Sequence, residues 1–210
     1  MIHEPNEWQH KDKVLGILKP WYVKPFLDVL DTWDLSDKIV FEYGLGNSTI
    51  WYAHKAKKVY GVDEQYKWFK EVGFELVSNF DKSKYDIFFE PVEYRYPKTI
   101  YTPNIKFDIV VIDGLTDWRD ECVVPALSCL KEDGILIIDN FQQPSVHMMN
   151  EENLELLKQY DRKIFKQWNH PDWQTAIFTR DSILWPLRKY NESNIGTIPM
   201  INFDASLDKK

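Results

Sequence analysis

The stretch KIVFEYGLGNSTIWYAHKAKKVYGVDE, residues 38–64, limits the fold more than any other part of the chain. Ile39, Val40 and Phe41 are apolar without alternation, as in a strand buried on both faces. Glu42 breaks that run two residues before Gly44-Leu45-Gly46. A chain that bends sharply and admits a ligand to its backbone needs residues without Cβ at such a place. Asn47 and Ser48 suit a helix N-cap, and residues 48–56 can form the helix behind it. Residues 59–62 read as a second strand, closing on the acid pair Asp63-Glu64. Strand, glycine bend, helix, strand and acid make the first half of a nucleotide-binding βαβ unit.

The ligand class turns on departures from the dinucleotide pattern. G-x-G-x-x-G calls for a third glycine, and Thr49 stands there. A carboxylate beside the bend repels a pyrophosphate and favours a cationic group. S-adenosylmethionine carries an ammonium and a sulfonium and has no phosphate, so an acidic bend suits it. This argument needs Glu42 to face the ligand. A Glu42 turned into the apolar interior, or a bend blocked by another segment, removes that cofactor and all that is inferred from it. Asp63, 19 positions after Gly44, is placed to accept both ribose hydroxyls, a role open to either cofactor class.

EYGLGNST followed by VYGVD resembles motif I and the second-strand acid of class I S-adenosylmethionine-dependent methyltransferases. The resemblance extends through residues 107–114 and 134–140 and covers about residues 36–180 as an ordered set of elements. It implies a doubly wound α/β fold: a mostly parallel seven-stranded sheet with an antiparallel last strand, helices on both faces and an N-terminal helical extension. It also implies that Glu42, Gly44 and Gly46 border the methionine part of the cofactor, with Asn47, Ser48 and Asp113 among its further contacts. By the same likeness Asp63 holds the ribose and Glu64 flanks the adenine. Glu90, Pro91 and Val92 stand where the family places other adenine contacts.

Composition sets outer bounds. At 210 residues the chain can build a proper core, and 44% apolar with 28% charged residues is ordinary for a globular protein. A net charge of −7 argues against a nonspecific polyanion binder, which needs clustered Lys and Arg. Cys122 and Cys129 share one helix without metal-ligand spacing and read as buried small hydrophobes. The opening MIHEPNEWQHKDK has no apolar h-region, and no run approaches membrane-spanning length. A cytoplasmic enzyme is the default expectation.

One domain is expected: an N-terminal helical cap (1–35), a Rossmann-like part (36–185) and a C-terminal tail (186–210). Helices are predicted at 6–18 and 21–33, separated by Lys19-Pro20, and again at 65–80, 120–130 and 150–160. Strands are predicted at 85–89, 107–112 and 134–138, with an antiparallel pair at 163–168 and 174–180. Residues 91–104 are too rich in proline for a regular element. The preceding helices either lie over the cofactor, as the resemblance implies, or simply cover one sheet edge.

Four acids, Glu42, Asp63, Asp113 and Asp139, fall where apolar strands stop. In an open α/β sheet those ends form the ligand crevice. Methyl transfer asks mainly for alignment, but an oxygen acceptor can need a base. Asp113 and His147 are the candidates, His147 reading equally as a surface histidine. Asp113, Asp139 and Asn140 form a hard-oxygen half-shell fit for Mg²⁺, and resemble the Asp…Asp-Asn set of catechol-type and some sugar O-methyltransferases. There the ion lowers the acceptor pKa. The chain departs from the catechol-type pattern in lacking a lysine soon after Asp113. Arg119 could clamp an acidic substrate, or belong to a helix start capped by Asp117. Trp118 and the tyrosines of 91–104 are pocket candidates; Trp51 and Trp68 are expected to cover the sheet. The expected activity is methyl transfer to a small-molecule hydroxyl. A nicotinamide-dependent oxidoreductase and a non-catalytic nucleoside-binding relative are the rivals.

Overall fold

The computed structural model describes residues 11–12, 15–141, 149–168, 170 and 172–180. His147 and the 186–210 tail lie outside them. The sheet comprises β1 (Ile39–Tyr43), β2 (Lys58–Asp63), β3 (Tyr85–Phe89), β4 (Phe107–Ile112), β5 (Leu130–Asp139), β6 (Asp161–Lys166) and β7 (Gln174–Thr179), in the spatial order β3-β2-β1-β4-β5-β7-β6. Neighbours among β1 to β5 are parallel. β7 is reversed in direction, antiparallel to both β5 and β6, between which it lies.

Apolar side chains of the central strands split between two layers. Val40, Ile109, Val111, Ile135 and Ile137 join α1 (Lys24–Leu30), α2 (Asn47–Lys55) and α3 (Tyr66–Asn79) on one face. Phe41, Val110, Ile112, Leu136 and Ile138 join α4 (Arg119–Cys129) and α5 (Glu151–Leu157) on the other. Burial on both faces explains why these strands read as unbroken apolar runs. Cys122 and Cys129 are free thiols buried in the second layer. β1 lies between β2 and β4, so the direction of winding reverses between β1 and β4. At such a switch point the strand ends open a crevice.

The N-terminal expectation needs correction. Residues 15–18 form a turn rather than the end of a helix over 6–18. Lys11 bridges Leu18, Gly16 has φ +69, and Asp12 Oδ1 accepts the Leu15 N–H at 2.9 Å. The next helix is α1 alone, shorter than 21–33. Pro25 stands in its first turn, where a missing N–H costs nothing, and could not be threaded from farther back. Within 91–104, Tyr96–Tyr101 do wind into a 3-10 turn, so that loop holds more order than its prolines suggest. Among the described residues, no helix is long and apolar enough to cross a membrane.

Candidate active site

At the carboxyl end of β1 the chain passes through Gly44 at φ +92. A Cβ there would stand 2.6 Å from the Asp113 carbonyl oxygen, so only glycine lets the bend lie against the end of β4. The amide of Gly44 donates to Val62 O (2.8 Å) and that of Asp113 to Tyr43 O (2.9 Å), locking three strand ends together. Gly46 is different. Its φ of −171 is ordinary extended backbone, and a Cβ would meet nothing nearer than Ser48 Oγ at 4.0 Å. The protein itself does not require glycine at this position.

Gly46, not Asn47 or Ser48, is the N-cap of α2. Its amide donates to Thr49 Oγ1 (3.0 Å), and that hydroxyl donates to Glu42 Oε2 (2.5 Å). Thr49, in the place of a third fingerprint glycine, therefore ties the bend to β1. Asn47 and Ser48 are left in the first turn, on the wall of the crevice.

Gly44 to Ser48, Asp63 to Gln65, Asp113 to Leu115, Trp21 and Trp68 enclose a cleft of about 290 Å³. Three of these residues are acidic, and none is Lys, Arg or His. Asp63 Oδ2 accepts the Leu45 N–H and Oδ1 the Gln65 N–H, both at 2.7 Å. These bonds oppose burial, which still pushes its carboxyl up to about 7. Two polar atoms of the wall, Asn47 Nδ2 and Glu64 Oε2, are buried without a hydrogen-bond partner. Such atoms ordinarily find one, and a polar ligand in the cleft would supply it.

Glu42 overturns one expectation. Its side chain is fully buried and does not line the cleft, because alternation along β1 sends Glu42 and Val40 to the layer holding Tyr22 and Tyr52. Burial pushes its carboxyl up to about 8, against the pull of the Ser48 and Thr49 hydroxyls, and Oε1 has no partner. The ligand argument that needed Glu42 to face outward is therefore gone. The bend is not blocked, however, and Asp63, Glu64 and Asp113 supply the negative wall.

Arg119, at the start of α4, is 7% exposed and committed internally. Nε donates to Gly114 O (2.9 Å), Nη1 to Asp139 O (2.5 Å), and Nη2 to Asp113 Oδ1 (3.0 Å). It is not free to clamp a substrate. Burial raises the Asp113 carboxyl, and Arg119 pulls it back. Asp139 lies 4% exposed with Oδ1 accepting Thr175 Oγ1 at 2.5 Å; burial first, then Asp113, raise it to about 8.

The set expected to hold Mg²⁺ does not fit that ion. Only Asp113 of the three borders the cleft, and it already faces a guanidinium. Asn140 is exposed at φ +51. Among the described residues, no group of three His, Cys, Asp or Glu could hold a metal. Glu90 stands apart from the cleft lining and pairs with Arg95 at 2.8 Å. Trp118 and Tyr96 pack on each other, with centroids 5.4 Å apart, and Tyr94 is 70% exposed, so none of these forms the pocket. Trp51 is core, as expected. The aromatic rings on the cleft are Trp68, expected in the core, and Trp21, which sequence reasoning passed over.

No family model matches the chain, and no curated protein sequence does. Solved structures match it as folds. A methyltransferase-like protein from Silicibacter pomeroyi aligns with a TM-score of 0.57 at 16% identity, over 77% of this chain and 89% of its own. The O-methyltransferase TomG from Streptomyces achromogenes, solved in complex with SAM, gives 0.53 at 14% identity over 75% and 78%. An rRNA methylase from Streptococcus thermophilus gives 0.52 at 15% identity over 72% and 90%. One of these is an rRNA methylase and another an O-methyltransferase, so a likeness of fold does not fix an acceptor. The chain has the Rossmann-like α/β fold of class I S-adenosylmethionine-dependent methyltransferases.

Proposed function

We propose that the chain is an S-adenosylmethionine-dependent methyltransferase acting on the hydroxyl oxygen of a small molecule. The observation that carries this reading is the charge of the cleft. It sits at the switch point and is walled by Asp63, Glu64 and Asp113, with no cationic side chain among its lining residues. A pyrophosphate would find no counter-charge there, whereas a sulfonium and an ammonium would. The orphaned Asn47 Nδ2 and Glu64 Oε2, and the open space beside Gly46, also fit a polar nucleoside lying close to the backbone.

Bound S-adenosylmethionine would supply an activated methyl group. The remaining work falls to the chain. Asp63, its orientation fixed by two backbone amides, retains lone pairs for the ribose hydroxyls. Asp113, oriented by Arg119, is the described carboxylate best placed to take a proton from an acceptor hydroxyl. A bound S-adenosylmethionine would give its methyl to the acceptor oxygen and keep the C–S electron pair on its sulfur, while Asp113 holds the proton released by the acceptor. His147, the other base candidate, lies outside the described residues.

Isothermal titration with S-adenosylmethionine, S-adenosylhomocysteine and NAD tests the assignment. Both sulfur nucleosides should bind and NAD should not. Asp63→Ala should weaken nucleoside binding at least about tenfold, the scale of one lost charged hydrogen bond. Tight NAD binding would replace this reading with a nicotinamide-dependent oxidoreductase. Nucleoside binding without product-nucleoside release across a broad panel of acceptors would favour a non-catalytic relative.

A further inference from the structure

β3 ends the sheet on one side: it pairs with β2, and among the described residues no strand meets its outer edge. Its sequence, YDIFF, carries neither of the residues that commonly guard an exposed edge, proline and lysine. Its one charge, Asp86, is already paired with Lys58 (2.6 Å) and Lys82 (3.0 Å). The Glu90 amide donates to Asp63 O on β2 (3.0 Å). Alternation along the strand then turns the backbone groups of Phe88 and Asp86 toward β2, and those of Tyr85, Ile87 and Phe89 toward the open side.

α3 overhangs that edge. Gly73 lies against Ile87, where an added Cβ would stand 3.2 Å from Cδ1. Tyr66 and Val77 fall on the same stripe of the helix as Gly73, with Phe74 beside them. Tyr66 is 61% exposed, and Phe74 and Val77 are 71% exposed each. Phe89, 39% exposed, joins them through Tyr66, with ring centroids 5.5 Å apart. Together these side chains leave roughly 500 Å² of apolar surface uncovered, near the upper end for the largest patch on a monomer.

We propose that a second copy of the chain covers this edge, the two β3 strands pairing antiparallel about Ile87 beneath packed α3 helices. A two-fold contact must be complementary to itself, and this register is. Ile87 meets the partner's Ile87 and Tyr85 meets the partner's Phe89, so the backbone groups turned outward face one another. One residue beyond the strand at either end, Lys84 faces the partner's Glu90 and Glu90 faces the partner's Lys84. Opposite charges thus meet at both ends of the pairing. A foreign strand would have no need of them at mirror positions. Lys84 is oriented by one bond to Ala56 O (2.6 Å), which leaves donors over, and Glu90 is held by Arg95. The apolar patch and the strand edge together approach the ~800 Å² per partner of a standard interface, a size that fits a micromolar dimer.

Sedimentation equilibrium of the full chain from about 1 to about 100 μM should show monomer passing to dimer. Phe74→Lys combined with Val77→Lys should raise the dissociation constant at least about tenfold, with the melting of the dilute monomer unchanged. Lys84→Glu and Glu90→Lys should each weaken the dimer by setting like charges against each other, and the two together should restore most of the affinity. Within one strand these positions lie about 20 Å apart, so that recovery can come only from contact between copies. A parent chain monomeric throughout would overturn the proposal. So would a dimer indifferent to the two lysines on α3, or a Lys84→Glu, Glu90→Lys chain no tighter than either single variant. A dilute monomer that melts lower with the α3 substitutions would show that the chain covers this edge itself, which overturns it as well.

Discussion

Glu42 carries a carboxyl into a fully buried space where the Ser48 and Thr49 hydroxyls pull on it, Thr49 donating to Oε2, while Oε1 has no partner. Its proton is therefore held more tightly in the folded chain, up to about 8, than in an unfolded one. The sign follows from proton counting. Between the ordinary carboxylate range and about 8 the folded state binds the extra proton, so this group's share of stability is full at low pH and is lost as pH rises. The slope from one such proton is at most about 1.4 kcal/mol per pH unit. Urea unfolding at several pH values between about 5 and 8 should show stability falling, less steeply in Glu42→Gln. Equal slopes in parent and variant would show Glu42 ionised in the native state. The two glycines of the bend make a second test at this scale. Gly44→Ala forces a side chain onto the Asp113 carbonyl at positive φ and should destabilise by about 1–3 kcal/mol or more. Gly46→Ala meets no protein atom, so melting should stay within about 0.5 kcal/mol of the parent while nucleoside affinity drops. Unaltered nucleoside binding in Gly46→Ala would mean that no ligand approaches that backbone.

The elements were legible where chemistry and packing point the same way. Residues 107–112 read as a strand because both faces of the sheet are covered there, and the observed β4 has those bounds; the partly covered edge strand β3 also has its expected bounds, 85–89. The same double burial hid the orientation of Glu42. Where both faces are apolar, a run such as IVFEY does not tell which face its fourth residue joins. Trp21 was illegible for another reason: its exposure depends on Thr175 and Gln167, more than 140 residues along the chain. Arg119 was legible as a helix start, but its three acceptors sit on the ends of β4 and β5 and appear only once those strands are neighbours. Arg119 is thus the fastening between two strands and α4. Replacing it with methionine leaves the part-buried Asp113 carboxylate and two carbonyls without it, a change expected to cost about 3 kcal/mol, the low end for breaking a buried ion pair. Chemical denaturation of Arg119→Met should show a loss on that scale, with Arg119→Lys recovering part through charge but not the three-way reach. A Met variant as stable as the parent would show that the contacts are not needed to hold the strand ends.

At the scale of the whole molecule the charges act in concert. The chain carries a net −7, and its acidic cleft lies at the crevice where the winding of the sheet reverses. A cation approaching that rim meets attraction from both the wall and the surface behind it. S-adenosylmethionine and S-adenosylhomocysteine differ by one methyl group and one positive charge, so comparing them isolates the electrostatic part. Salt screens surface charge over about 10 Å at 0.1 M. Raising salt from about 0.05 to about 0.5 M should therefore weaken S-adenosylmethionine binding more than S-adenosylhomocysteine binding, by a few-fold in the ratio. In Asp63→Asn, which keeps the shape but removes one charge of the wall, the difference between the two salt slopes should shrink. Identical slopes for both nucleosides in the parent chain would mean that the carboxylates of the cleft are protonated or turned away when ligand binds. The preference for a cationic nucleoside over a phosphate-bearing one would then lose its physical basis.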